Sequence, residues 1–582
     1  MAEGGTARNH AVAHVLEEIA DLLELQDEQP FRVRAYRAAA EQVRGLAVDI
    51  AELDEAGQLD AIPGVGKALA AKIHEYLTTG QLGYLERLRA QVPAEAVALL
   101  RVPGIGPARA RQLIKRGITS LAALRAAAER GELRGIPGFG AALEQQVLAA
   151  LATPEERPAR LLLGAVLPLA EALAAELAQH RAVRAVSPVG SLRRWRATVG
   201  DVTLLVATAE PDAVIAALPN LPGVERVQAE DAWQVLEHAA GVPVRVVLVE
   251  PDAWGTALLF WTGARAHVEQ LAARAVARGW RLTPAGLVDE RGRRRAGADE
   301  AAVYAALGLD WVPPELREGA GEVEAAAAHA LPTLVTVADI RGELHAHTDW
   351  SDGADTLEQM AEAARARGDA YLVITDHSPT PAVAGGLSAE RLREQHRAIA
   401  ALNAKLAPFR VLHGAEVSIL PDGRLDYPDD VLAMLDVVIV SVHNQFRQSR
   451  EAMTERICRA LAHPMVDVLG HATGRLLGRR DGYAVDLEAV IATAAAHGVA
   501  IEVNGQPDRL DIEDVWVRRA IAQGVLVACT TDAHSCRNFD YRRYAVAQAR
   551  RGWAEARHVL NARDLDGLLA WRAARRAARQ QG

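Results

Sequence analysis

Nine side chains in the C-terminal part of this sequence have the types and spacing of a site for several metal ions. "GELHAHTDWSDG" puts His345 and His347 on one face of a predicted strand, with Asp352 in the loop after it. "YLVITDHS" is an apolar strand ending in His377, "VLHGAEVSI" carries Glu416, "DVVIVSVHN" ends in His443, "VDVLGHATG" carries His471, and "VLVACTTDAHS" ends in Asp532 and His534. Imidazole suits Zn²⁺, Mn²⁺ or Fe²⁺, and a carboxylate can bridge two ions. Six His, two Asp and one Glu are enough for three metals at three or four protein ligands each, with room for water and a phosphate. Such a cluster generates a bound hydroxide near neutral pH and stabilises charge on phosphorus, so the expected reaction is phosphomonoester or phosphodiester hydrolysis. A single buried histidine is more often a satisfied core residue, but the recurrence at strand ends outweighs that reading. Strand C-termini are where a (β/α) barrel builds its sites.

A second stretch, "VGSLRRWRATVGDVTLLVA", has a Gly-Ser turn (Gly190, Ser191), a basic pair (Arg193, Arg194) and a strand opening at Gly200-Asp201. The turn suits a phosphate, and Gly190, Ser191 and Arg194 are candidates to hold a triphosphate or a DNA phosphate. Two carboxylates at alternate strand positions would hold paired Mg²⁺ ions over a nucleoside triphosphate. Asp201 is present, but the next position on that face is Thr203.

The elements that must position these groups fall into three stretches. Residues 9–150 read as helices broken by glycine turns, with one pattern repeated three times: "AIPGVGKALAAKI", "RVPGIGPARARQL" and "GIPGFGAALEQQV". Each pairs two glycines, Gly64 with Gly66, Gly104 with Gly106, and Gly138 with Gly140, at the start of a helix. The first N–H groups of a helix can hold a phosphate oxygen without reading a base, so three copies point to DNA binding that is not sequence-specific. From about 160 to 320 strands and helices mix, 321–339 reads as a linker, and from 340 to about 570 short apolar strands alternate with helices as βα units.

Bulk composition sets bounds. The chain has 582 residues, long enough for several domains, and is 50% hydrophobic. Its net charge of −10 leaves DNA contacts to local patches and backbone amides. Three cysteines without CxxC spacing fit a reducing compartment and exclude a Cys-based zinc site. No apolar run approaches the ~20 residues of a membrane span. The opening "MAEGGTARNHAV" lacks a signal-peptide pattern, so a cytoplasmic location and no membrane partner are expected.

The glycine turns resemble helix-hairpin-helix motifs. The nine-residue series resembles the PHP (polymerase and histidinol phosphatase) domain, whose metal-ligand positions are all filled here by His345, His347, Asp352, His377, Glu416, His443, His471, Asp532 and His534. That resemblance implies a distorted seven-stranded (β/α) barrel with about three divalent ions, Mn²⁺ or Zn²⁺. Asp376 is expected to orient an imidazole, while Arg475 and Arg509 read equally as phosphate clamps or as surface ion pairs. The order hairpins, "GSLRR…GD", "LLFWTGARAH", "PPELREG", then PHP resembles the bacterial and archaeal X-family DNA polymerases over nearly the whole chain.

The implied organisation is all-α helix-hairpin-helix domains at 1–80 and 81–155, an α+β nucleotidyltransferase palm at 156–255, a thumb at 256–320, the linker, and the α/β PHP barrel at 340–575. The implied activities are gap-filling synthesis from dNTPs and 3′–5′ exonuclease action on gapped or nicked DNA in base excision repair. Some members also cut at abasic sites or remove 3′-phosphates.

The palm departs from its pattern. Its first carboxylate matches Asp201, but the second falls on Thr203 and the third on Arg245. A guanidinium ~5 Å from a divalent ion, at an effective dielectric of about 20, is repelled by on the order of 6 kcal/mol. Arg245 is therefore expected to pair with Asp201 in place of Mg²⁺. The thumb motif also has Ala264 and Val268 where polar residues are usual. Lys72 falls where related eukaryotic enzymes carry a Schiff-base lysine that removes a 5′-deoxyribose phosphate, and it reads otherwise as a helix lysine touching phosphate or solvent.

The reading that fits best is a repair nuclease of this family with polymerase activity lost or impaired. An active gap-filling polymerase with exonuclease is disfavoured by Thr203 and Arg245. A non-catalytic gap-binding scaffold is disfavoured by the complete ligand set, and a small-molecule phosphatase by the three hairpins.

Overall fold

The computed structural model describes residues 3–580 except 27, 45, 47–48, 63, 92–95, 97–98, 100–101, 103–104, 137–138, 141–142, 145–146, 148–159, 231–232 and 381–383. Gly104 and Gly138 lie outside the described residues. The chain divides into two compact units, 1–158 and 159–582.

The first unit is helical. Val65, Ile105 and Phe139 are buried, and their N–H groups donate at 2.9 Å to the carbonyls of Ile62, Val102 and Ile136. The next helical turn then starts from a glycine carbonyl: Ala70 N–H donates to Gly66, Ala110 to Gly106 and Glu144 to Gly140. The sequence repeat is thus one turn built three times, its apolar residues anchored in a shared core and its glycine opening a helix. Gly64 has φ +79°, which only glycine adopts freely.

The second unit contains three sheets and a short ribbon. The strands are β1 (Leu161–Leu162), β2 (Ala185–Pro188), β3 (Thr198–Val199), β4 (Val202–Ala207), β5 (Val224–Glu230), β6 (Trp233–His238), β7 (Pro243–Val249), β8 (Trp280–Thr283), β9 (Gly286–Asp289) and β10 (Arg294–Ala296). They continue as β11 (Gly342–Glu343), β12 (Tyr371–Ile374), β13 (Arg410–Ser418), β14 (Val437–Ser441), β15 (Val468–Leu469), β16 (Ala500–Asn504) and β17 (Val527–Thr530). β1 pairs with β3, a mixed sheet runs β2-β4-β7-β6-β5 with β4 parallel to β7, and β8, β9 and β10 form an antiparallel sheet.

β11 to β17 lie in sequence order, all parallel, and β12, β14, β15, β16 and β17 are buried throughout, as a parallel sheet covered on both faces requires. The segments after β11 and β17 bridge at Ala346 and Ala533, with His347 N–H donating to Ala533 O at 2.8 Å. The barrel is thus nearly closed, its ends meeting at the very segments that carry His345, His347, Asp532 and His534.

The stretch 321–339 is not the loose linker its alanine run suggests. It forms the helix Glu322–Ala327, whose Val323 and Ala326 pack with Leu271, Val303 and Tyr304. The fully buried Glu322 carboxylate accepts from Gly319 N–H and Ala320 N–H, both at 2.6 Å, and from His267 Nδ1 at 2.6 Å. An i, i+3 apolar pair and a satisfied buried carboxylate make it part of the packed structure. The module formed by β1–β10 and the barrel also share a core: Leu510 and Tyr544, from the barrel part of the chain, are buried among Leu163, Val166 and Leu192. No described helix is long and apolar enough to cross a membrane.

Candidate metal centre

Every strand of the barrel places a polar side chain at one end of it. His345 and His347 follow β11, His377 follows β12, Glu416 lies in β13, His443 follows β14, His471 follows β15, Glu502 lies in β16, and Asp532 and His534 follow β17. Three overlapping groups have ligand atoms within 4.8 Å of one another: His347, Asp352, His377 and His534; His345, His347 and Asp532; and His377, Glu416 and His443. His471 joins through Glu416, its Nε2 2.8 Å from Oε1. Glu416 is the hub, with His443 Nε2 at 3.1 Å and His377 Nδ1 at 3.0 Å. All nine side chains named from the sequence are thus brought to one site.

The donors fit divalent cations. His345 Nε2 and both ring nitrogens of His347 are buried without a hydrogen-bond partner. An unmet imidazole nitrogen among carboxylates is what a metal ligand looks like before it is given its ion. Burial pushes the Glu416 carboxyl up, but the surrounding imidazoles, His443 and His377 foremost, outweigh it and hold Glu416 well below its usual range. Asp352 and Asp532 are likewise held low against burial, His534 being the main cause for the first and His345 for the second. Burial, reinforced by His534 and His377, pushes His347 down and keeps it a neutral donor. Ionised carboxylates buried this deeply need compensating positive charge.

Supporting bonds fix the ligands. Glu502, which the sequence reading missed, accepts from His345 Nδ1 at 2.6 Å and Thr530 Oγ1 at 2.7 Å, leaving His345 Nε2 to face the site. Asn504 Nδ2 holds Asp532 Oδ2 at 3.0 Å, and the Ser418 hydroxyl meets His443 Nδ1 at 2.9 Å. The signal was in "AIEVNG": Glu502 and Asn504 alternate on one face of a strand otherwise buried and apolar.

One expectation changes, and two residues left with alternatives part ways. Asp376 does not orient an imidazole. It accepts from Thr348 N–H and Oγ1, Ser351 Oγ and Gln395 Nε2, and so pins the loop that carries Asp352. Arg475 does not face the site: its guanidinium donates to the carbonyls of Arg509 and Leu510 and to Glu513. Arg509 does face it, with Nε 3.6 Å from Asp532 Oδ2.

In the mixed sheet, Thr203 and Arg245 are register partners on β4 and β7. Both close on Asp201 Oδ2, the Thr203 hydroxyl at 2.8 Å and Arg245 Nη1 at 3.2 Å. Arg245 also lies over the Trp233 ring, 5.4 Å from its centroid. At the phosphate turn Gly190 has φ +68° and starts the short helix Gly190–Arg193 that carries Ser191. Arg194 is already engaged, donating to Thr262 O at 2.6 Å and Glu318 Oε1 at 3.0 Å, so it must leave Glu318 to meet a phosphate. Lys72, on the helix Lys67–Thr79, donates to Ala68 O at 3.2 Å and sits 5.0 Å from the Tyr84 ring centroid. Burial, then Arg32, lowers its pKa.

Four family models match the chain: a helix-hairpin-helix domain at 7–82, a SAM-like helix-hairpin-helix tandem at 96–153, a DNA polymerase beta thumb at 257–318 and a PHP domain at 343–506. Among curated relatives, the "DNA polymerase/3'-5' exonuclease PolX" of Bacillus subtilis (strain 168) is 38% identical over 96% of this chain and 98% of its own length. A "Probable phosphatase" of Caldanaerobacter subterraneus subsp. tengcongensis is 31% identical over 35% of this chain and 80% of its own length. A "Probable phosphatase" of Thermoanaerobacter sp. (strain X514) matches at 31% over 35% of the chain and 82% of its own length.

Proposed function

The chain belongs to the X family of bacterial DNA polymerase/3′–5′ exonucleases, and we propose that in this member the chemistry has withdrawn to the PHP barrel. In this reading it is a metal-dependent nuclease that shortens DNA from 3′ ends at gaps and nicks during repair, and its palm has become a binding module. One contrast carries the proposal. The barrel gathers nine candidate ligands, several with unmet imidazole nitrogens, whereas one oxygen of the palm's remaining carboxylate is met by a hydroxyl and a guanidinium.

Three ions, Mn²⁺ or Zn²⁺, would be held by the three ligand groups, which overlap at His347 and His377, with His471 joined through Glu416. Bound divalent metal supplies a hydroxide at neutral pH and charge for the phosphate oxygens. The chain does the rest. His347 stays neutral and can donate a lone pair, Glu502 fixes the tautomer of His345, and Asn504 fixes Asp532. Arg509 reaches the edge of the same site and is assigned to a phosphate oxygen of the strand being cut. The hairpin helices of residues 1–80 and 81–155 hold the duplex through backbone amides, at Gly64, Gly66, Gly106 and Gly140 among others. The modules at 156–255 and 256–320, with Gly190 and Ser191 at the phosphate turn, hold the DNA end or a dNTP without joining it.

Chelator-stripped protein should neither cut a 5′-labelled primer nor release phosphate from its end, and added Mn²⁺ or Zn²⁺ should restore cutting. Restoration in a His345→Ala/His347→Ala variant would refute the assignment.

A second activity is favoured by the setting of Lys72, whose Nζ lies 5.0 Å from the Tyr84 ring centroid and whose pKa burial, then Arg32, lowers. A neutral amine there can attack the sugar aldehyde of a 5′-deoxyribose phosphate. Borohydride should then trap an adduct on an incised abasic substrate, and an equal yield with Lys72→Ala would reject the role.

A further inference from the structure

The loop that carries Arg509 rests on the palm-like module. Its inner side is tied to the metal ligands: Gln506 Nε2 donates to Asp532 O at 2.6 Å, and Asn504 Oδ1 accepts from Gln506 N–H at 2.9 Å. Its outer side enters the other module. Pro507 lies against Gly164, at the start of the palm helix Leu163–Ala178, so closely that a Cβ there would stand 3.3 Å from the Pro507 Cα and overlap its Cβ. Three residues on, Leu510 is fully buried in the palm core beside Leu163 and Val166. Leu510 has φ +44°, a conformation that a branched side chain avoids and that persists only where its surroundings impose it. Arg475 braces the same turn from inside the barrel through the carbonyls of Arg509 and Leu510. Arg509 thus lies between two residues, Pro507 and Leu510, whose positions are set by the palm.

We propose that the palm-like module is the seat of the nuclease's phosphate-clamping loop, and that Gly164 is a positioning residue for hydrolysis in the barrel. The inference rests on the reading of Arg509 as a phosphate clamp. It gives the palm a role in cutting DNA that does not depend on any catalysis of its own. A methyl group at Gly164 displaces Pro507, and the displacement passes along two residues to Arg509. The candidate metal ligands keep supports of their own, Glu502 on His345, Asn504 on Asp532 and Ser418 on His443.

The test measures kcat and KM for 3′-end shortening of a 5′-labelled primer on gapped DNA, with bound Mn²⁺ counted in each sample, for wild type, Gly164→Ala, Arg509→Ala and the double variant. A displacement on the order of 1 Å at a clamping group lowers kcat by about ten- to a hundredfold. Gly164→Ala should therefore lower kcat at least about tenfold with the metal count unchanged. The double variant should be no slower than Arg509→Ala alone, since both changes remove one interaction. Gly164→Ala/Pro507→Gly, which removes the overlapping ring, should recover part of the loss.

If Arg509→Ala cuts as fast as wild type, the clamp reading falls and this inference falls with it. If Arg509→Ala is slow while Gly164→Ala matches wild type, or if the two losses multiply, the clamp stands and the seating is wrong. Should Gly164→Ala fail to fold, Leu510→Ala removes the seat without an overlap, and an undiminished kcat there overturns the proposal.

Discussion

At the scale of single residues, the candidate metal site is a set of donors made specific by their partners. Glu502 fixes which nitrogen of His345 faces the site, so Glu502→Gln should weaken Mn²⁺ binding about ten- to a hundredfold, read by equilibrium dialysis; unchanged affinity would show that Glu502 only packs. The palm makes the complementary case. Thr203→Asp/Arg245→Asp would set three carboxylates around one point, and the variant should gain a Mg²⁺-dependent rise in unfolding temperature that the parent lacks. The nine side chains of the candidate site were legible as a group because His and Asp at the ends of apolar strands have few other reasons to recur. Glu502 was not, because a lone carboxylate inside a strand resembles a register error until its imidazole partner is seen. The sequence also left Arg475 and Arg509 equivalent. Only the backbone of the 505–511 loop turns one onto its own carbonyls and the other toward Asp532.

At the scale of elements, buried polar pairs set how each piece responds to pH and truncation. His413 on β13 is buried, and burial together with His396 lowers its pKa to about 3. Its folded pKa is depressed, so the unfolded chain binds the extra proton below about 6.5 and stability falls as pH drops from there toward 3. His413→Asn should flatten that part of the urea-midpoint profile, and an unchanged slope between pH 6.5 and 5 would place the proton elsewhere. Glu322 caps two backbone N–H groups and bonds His267, whose other nitrogen meets the Tyr304 hydroxyl at 2.8 Å. Glu322→Ala strands all three donors and should destabilise the thumb by about 3 kcal/mol, seen as an earlier transition in denaturant. The stretch 321–339 belongs here. "EVEAAAAHA" looks featureless because alanine hides its burial, and only the Val323–Ala326 spacing hinted at a packed face.

At the scale of the whole molecule, the chain keeps the helix-hairpin-helix, thumb and PHP order of its family while its two candidate chemical centres differ in what they hold. That order was legible from motifs, and so were the βα units of the C-terminal part, since both depend on local sequence, whereas the seven-stranded barrel came only from the resemblance to the PHP domain. The fusion of palm and barrel was not. Gly164 and Pro507 meet across most of the second unit, and a glycine kept free for a distant proline leaves no local trace. The most direct test uses a 5′-labelled primer on a one-nucleotide-gapped template with Mn²⁺, with and without dNTPs, beside Asp201→Ala and His345→Ala/His347→Ala. The expected result is shortening that the histidine changes abolish and Asp201→Ala leaves intact, with no lengthening when dNTPs are added. Lengthening that depends on Asp201 would contradict it, and would mean that the carboxylate bonded to Thr203 and Arg245 still makes DNA.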